Sequence, residues 1–135
     1  MDIFKGGSRP TQAANPEYFS GVVYSDPIVA APEPARVRSV CVTFMPGGRT
    51  AWHTHPLGQT LYVLRGVGRV QKQGEPVREI RAGDTVWIAP DEVHWHGAAP
   101  DTMMVHVAVQ EAQDGTHIVW MEHVSEEEYR VTPSV

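Results

Sequence analysis

The sequence holds one cysteine, Cys41, among 135 residues, so no disulfide can close within the chain. Nothing therefore marks an oxidising compartment. It has no run of lysine and arginine either. Eleven basic residues against 16 acidic ones give a formal charge of −5, which argues against a nucleic-acid or anionic-membrane surface. No apolar stretch nears the ~20 residues of a membrane span. The opening Met1-Asp2-Ile3-Phe4-Lys5-Gly6-Gly7 has no basic segment leading into an apolar one, so no secretory signal is expected there. These absences favour a cytoplasmic domain whose partners are small molecules. A chain of this length can hide roughly two-thirds of its unfolded surface as one domain without staples.

Chain breakers and histidine are what the sequence has in plenty. Twelve glycines and 11 prolines favour many short strands over long helices. Of seven histidines, His53, His55, His94, His96 and His106 all fall mid-chain.

Residues 1 to about 20 read as an N-terminal arm, with Tyr18 to Tyr24 as a possible first strand closed by Asp26-Pro27. From Val37 to Met45 the sequence alternates. Val40, Val42 and Phe44 share one face, while Cys41, Thr43 and Met45 share the other. A strand apolar on both faces belongs inside a sandwich or barrel wall. Glycine- and proline-marked turns then separate Thr60 to Arg65, Arg69 to Gln73, Val77 to Ile80, Thr85 to Ile88 and Met103 to Gln110. These runs are rich in β-formers, and the pattern predicts an all-β, closed or double-sheet antiparallel fold. Asp114-Gly115 reads as a hairpin turn before a strand from His117 to Trp120. Ser125-Glu126-Glu127-Glu128 reads as the capped, solvated start of a short C-terminal helix.

Two turn-then-histidine blocks carry the chemistry. In Gly47-Gly48-Arg49-Thr50-Ala51-Trp52-His53-Thr54-His55-Pro56-Leu57-Gly58-Gln59, an extended backbone puts His53 and His55 on one side. Two imidazoles and a nearby amide oxygen can grip a divalent metal. In the second block, Gly83 to His96, a third histidine follows a glycine-led turn. Met104, His106, Ala108 and Gln110 share one face of a strand, opposite Val105, Val107 and Val109. That suits a wall of a polar pocket, although a core histidine bonded to a neighbour fits the same pattern. His96 has the parity of His94 and faces inward if the strand is regular, or else sits on the rim. Thr50 offers its hydroxyl to a substrate or to a turn. His117 and His123 have no partner pattern and read as surface or interface residues. Trp52, Trp87, Trp95 and Trp120 read as packing, and Cys41 as a small buried residue.

The spacing Gly47, five residues, His53, one, His55, three, Gln59, six, Gly66 resembles the first motif of the cupin superfamily. Gly83, ten residues, His94 resembles the second, and 16 residues separate Gly66 from Gly83. The resemblance implies one cupin barrel (a double-stranded β-helix, or jelly roll) over about 36–110, flanked by the arm and by a C-terminal strand and short helix over 111–135. Departures are present. Gln59 stands where cupins usually have glutamate, and Asp91 and Ala98 replace the usual glycine and asparagine of the second motif. A neutral amide leaves more of the metal charge uncompensated, giving a stronger Lewis acid.

A closer resemblance runs through Arg49 to Leu61, His94 to Pro100 and Trp120 to Val124. It is to the small bacterial cupins that include manganese-dependent, (R)-selective hydroxynitrile lyases. It implies His53, His55, Gln59 and His94 as metal ligands and His106 as a site histidine, with Val42, Thr50, His96 and Gln110 nearby. Either His106 or His96 is then expected as the catalytic base, with Val42, Thr50 and Gln110 beside the substrate. Val40 adds an apolar wall. The expected cofactor is Mn²⁺, with Fe²⁺, Zn²⁺, Ni²⁺ or Co²⁺ also suited to three imidazoles. The expected activity is cleavage or formation of cyanohydrins. A cupin dioxygenase of the quercetinase type and a non-catalytic metal- or small-molecule-binding module are the alternatives. An arm that cannot bury itself often completes a partner's sheet, so a homodimer or homotetramer is expected.

Overall fold

A computed structural model describes residues 1–134 of the chain. Two antiparallel sheets curl against each other, and one long strand belongs to both. That strand, β7 (Gln59–Lys72), follows β1 (Gln12–Ala13), β2 (Phe19–Ser20), β3 (Val23–Ala30), β4 (Val37–Phe44), β5 (Arg49–Thr50) and β6 (His53–Thr54). After it come β8 (Arg78–Arg81), β9 (Thr85–Ile88), β10 (His94–Ala98), β11 (Met104–Glu111), β12 (Val119–Trp120) and the helix α1 (Glu126–Tyr129). The first sheet runs β1-β3-β4-β11 and the N-terminal half of β7, with β9 on that half's other edge. The C-terminal half of β7 pairs with β10 and β8, and β10 leads on to β5, β2, β6 and β12.

Gly66 is where β7 changes sheets. The sequence places a chain break at Gly66-Val67-Gly68, yet the strand continues through it. Gly66 takes φ +82°, a conformation that costs glycine little, and the register against β11 shifts nearby, between Val105 and His106. A Cβ at Gly66 would collide with the Met103 carbonyl oxygen, so the bend needs glycine twice over.

Alternation holds where the sequence shows it. Val42 and Phe44 are buried in a cluster with Val63, Ile80, Ala98 and Met104. The other face of β4 is only half-buried at Cys41 and Thr43, so Cys41 lies on the outer wall rather than inside. The first strand differs too. Asp26-Pro27 sits within β3 rather than closing it, because Pro27 coincides with a register irregularity against β4 where a missing N–H is tolerated. Within the arm, residues 12–13 pair with β3 and 19–20 with β5.

The hairpin at Asp114-Gly115 is present. Both residues take positive φ, 51° and 83°, and Gln113 bridges Thr116 across the turn. The strand beyond it is shorter than expected, Val119–Trp120 rather than His117–Trp120. The helix has its full capping box, Ser125 Oγ accepting from Glu128 N while Glu128 returns the bond to Ser125 N. Among the described residues, no helix is long and apolar enough to cross a membrane.

Candidate metal centre and its cavity

Inside the curl lies a cavity of about 300 Å³ whose lining includes Val40, Val42, Phe44, Ala108 and five of the histidines. Two sheets bring the polar groups together. β10 sets His94 opposite His53 on β6, and β11 sets His106 opposite Val42 and Gln110 opposite Gln59. His53, His55, Gln59, His94, His96, His106 and Gln110 are all buried.

Three of these imidazoles are anchored alike. The Nδ1 of His53 lies 2.8 Å from the Ala51 carbonyl, that of His55 2.7 Å from the His117 carbonyl, and that of His94 2.9 Å from the Glu92 carbonyl. A carbonyl can only accept, so each Nδ1 must carry the proton. Each Nε2 is then left as a bare lone pair turned into the protein, the usual outer anchoring of metal-ligating histidines. Burial, with the neighbouring imidazoles, holds His53 well below the ordinary imidazole range, and burial lowers His55 and brings His94 to about 4. All three are neutral near pH 7, as ligation requires.

The ring nitrogens of His53, His94 and His96 lie within 4.8 Å of one another. The His55 ring adjoins the same group, its centroid 5.0 Å from that of His53 and 5.4 Å from that of His94, against 5.2 and 5.7 Å for His96. Its Nε2 is buried without a partner, as is that of His96. Buried acceptors left unpaired are costly, and a divalent cation is a group that would satisfy several at once. The donor set of neutral imidazoles and one amide oxygen suits such an ion.

His96 and His106 form a second unit. His106 Nε2 and His96 Nδ1 are 2.9 Å apart and share one hydrogen, while His96 Nε2 and His106 Nδ1 have no partner. Burial takes His106 to about 4 and, with the charge His106 would carry, pushes His96 well below the usual range. Thr50 is committed locally, its Oγ accepting from the His96 amide at 3.2 Å. His106 and His96 thus both face the cavity rather than the rim, and Val40, Val42, Thr50 and Gln110 line it.

Two residues of the site escaped the sequence reading. His117 supplies the carbonyl that anchors His55 and lines the cavity with its ring. Trp120 pairs with His53 across β6–β12, their rings 4.8 Å apart, and stacks on Tyr18 at 4.8 Å. The one available signal was the hairpin at Asp114-Gly115, which turns the chain back toward the barrel. Trp87, read as packing, is instead 62% exposed on β9, whereas Trp52 and Trp95 are buried. His123 is exposed, its Nδ1 3.3 Å from Ser20 Oγ.

Residues 40–110 match the cupin domain family. This chain is a cupin. Over 130 residues, 96% of this chain and 99% of the relative, it is 53% identical to the (R)-mandelonitrile lyase of Granulicella tundricola. A cupin-like protein from Thermotoga maritima superposes with TM-score 0.84 at 40% identity, covering 96% of both chains. A cupin-2 domain protein from Rhodospirillum rubrum superposes with TM-score 0.71 at 16% identity, over 94% of this chain and 82% of the other, and so shares the fold. The departures from the cupin motifs are absorbed locally. Asp91, in place of the usual glycine, takes φ 63°, which aspartate tolerates better than most residues, and its amide donates to the His55 carbonyl at 3.0 Å.

Proposed function

We propose that this cupin is a metal-dependent hydroxynitrile lyase, cleaving a cyanohydrin to an aldehyde and hydrogen cyanide or running the reverse synthesis with (R)-selectivity. The observation that carries the reading is the 53% identity, across nearly the full length of both chains, to a relative named (R)-mandelonitrile lyase. The cavity supports it, with a polar floor of imidazoles beneath apolar walls.

His53, His55, Gln59 and His94 would hold a divalent ion, Mn²⁺ by the family resemblance. Such an ion supplies Lewis acidity that lowers the pKa of a substrate hydroxyl. Val40 and Val42 seat the aryl or alkyl group. The His96–His106 pair takes the hydroxyl proton at an unpartnered ring nitrogen. The C–C bond to the nitrile then breaks, its electron pair leaves on the cyanide carbon, and the oxygen keeps a carbonyl. Because the two rings share a hydrogen, a proton gained at one outer nitrogen can be released from the other to the departing cyanide, so protons balance and no oxidant is needed. Gln110 donates toward the nitrile nitrogen.

Gln59 weighs against the dioxygenase alternative, since a carboxylate is the usual companion of that chemistry in cupins. The test is an assay of purified protein of measured metal content with mandelonitrile, following cyanide release and O₂ uptake together. Cyanide released without O₂ consumption supports the lyase. O₂ consumption, or no cyanide from metal-replete protein, overturns it.

A further inference from the structure

β4 continues its inward-facing row beyond the apolar wall. Phe44, Val42 and Val40 line the cavity, and Arg38 is the next residue of the same parity. Its register partner on β11 is Gln110, which lines the cavity and lies with its Nε2 3.4 Å from His117 Nδ1. Arg38 is half-buried, yet among the described residues it makes no ion pair and no side-chain hydrogen bond. The other arginine nearby differs, because Arg36 reaches Glu111 at 4.0 Å. Arg38 lines a second depression of about 700 Å³, shared with Glu33, Arg36, Gln113 and Asp114. Neither Glu33 nor Asp114 comes within ion-pair distance of it.

We propose that Arg38 is an anion-binding subsite at the mouth of the cavity, and that the cupin takes substrates carrying a carboxylate at the end remote from the hydroxyl. The spacing suits a para-substituted aryl body. Arg38 lies four residues along β4 from Val42, the register partner of His106, roughly 13 Å at ~3.3 Å per residue. The flexible arginine side chain shortens the gap that the ligand must span. A planar guanidinium with no committed partner is the side chain best matched to a carboxylate. The hydroxyl end meets the imidazole floor, the ring lies on Val40, Val42 and Ala108, and the carboxylate emerges beside Arg38.

This proposal rests on the preceding reading only in taking the cavity as the substrate site, so its test reads binding rather than turnover. The probes are 4-(hydroxymethyl)benzoate and its neutral methyl ester, titrated calorimetrically into metal-replete protein. The acid is expected to bind about tenfold tighter than the ester, as one charge-assisted contact at a half-exposed position would give. In Arg38→Leu the two affinities should converge, and Arg38→Lys should restore part of the difference. Unchanged melting temperature and metal content show that the variants are folded, and Arg38→Gln serves if the leucine variant is not. Val42→Trp, which fills the cavity, should abolish binding of both probes. An acid no tighter than the ester in the wild type, a preference that survives loss of Arg38, or acid binding that persists in Val42→Trp would each overturn the proposal. Failure of cyanohydrin cleavage would leave it standing.

Discussion

The Nε2 of His94 and the Oε1 of Gln59 face each other at 3.3 Å, and neither has a proton to offer. His94 Nδ1–H is committed to the Glu92 carbonyl. The Gln59 amide is oriented by donating its Nε2–H to Gln110 Oε1 at 3.1 Å. Two buried acceptors at this separation repel unless a cation lies within reach of both, which is the strongest local argument that Gln59 is a ligand.

Gln59→Glu keeps an oxygen at nearly the same reach and adds a negative charge. Metal affinity should rise, because an anionic ligand attracts a dication more than an amide does. Cyanohydrin cleavage should slow, because the added anion weakens the Lewis acid. Metal titration and a cyanide assay on the same preparation check both. Tighter metal with faster cleavage would show that the carboxylate's basicity outweighs its charge.

His94→Ala and His106→Ala should separate ligand from base. The first removes an anchored Nε2 and should strip bound metal, while the barrel persists because its core, not the ion, holds the fold. The second should retain metal and lose about 10²–10⁴ in turnover, the usual cost of deleting a general acid–base group. Elemental analysis beside kinetics decides. Full metal in His94→Ala refutes the ligand role, and unchanged turnover in His106→Ala assigns the proton transfer to His96 alone.

The legible part of the site was the part encoded by local spacing. His53 and His55 two apart and His106 opposite a valine stripe follow from strand parity, whereas His94 follows from the resemblance of the Gly83–His94 spacing to the second cupin motif. The illegible part comes through backbone and long-range contact. His117 anchors His55 by its carbonyl, a group every residue has, so no side-chain pattern could announce it. Trp120 reaches His53 only because β12 folds back onto β6. Similarly, the glycines at 66 and 68 read as a break, yet they mark a bend within one strand. The bend is needed by two sheets that share β7, a tertiary demand invisible in the local sequence.

Acid should destabilise the metal-free protein. Burial lowers His94 and His106 to about 4 from 6.5, so the folded state holds them neutral while the unfolded chain binds protons first. The stability they contribute is intact above the unfolded pKa, near 6.5, and is lost as pH falls through that value towards about 4. A shift of this size corresponds to roughly 3 kcal/mol for such a group taken alone. The two should not be summed, because His94 and His106 both adjoin His96, so protonating either one changes the charge felt by the same buried cluster. Melting temperatures of metal-free protein between pH 7.5 and 4 check this. A flat profile across that window would contradict the buried-neutral assignment.

Arg49 should prove to be the clasp for the C-terminal segment that covers His53. It is 5% exposed, and its Nη2 and Nε donate to the Val124 carbonyl at 2.9 and 3.3 Å. Its guanidinium also lies 4.4 Å from the centroid of the Tyr129 ring, while Tyr129 Oη donates to the Ala98 carbonyl at 2.5 Å. One side chain therefore ties β5, and through Tyr129 β10, to residues 124–129. Arg49→Ala strands a buried carbonyl and removes the cation of a cation–π contact, a loss on the order of 2–4 kcal/mol. Arg49→Lys should fall between, since a point charge cannot reproduce the planar fork. The effect should also be local. Amide hydrogen exchange should accelerate from Val119 to Tyr129, including Trp120 against His53, while β4 and β11 exchange as before. Uniform acceleration throughout the barrel would show that Arg49 supports the core rather than the clasp.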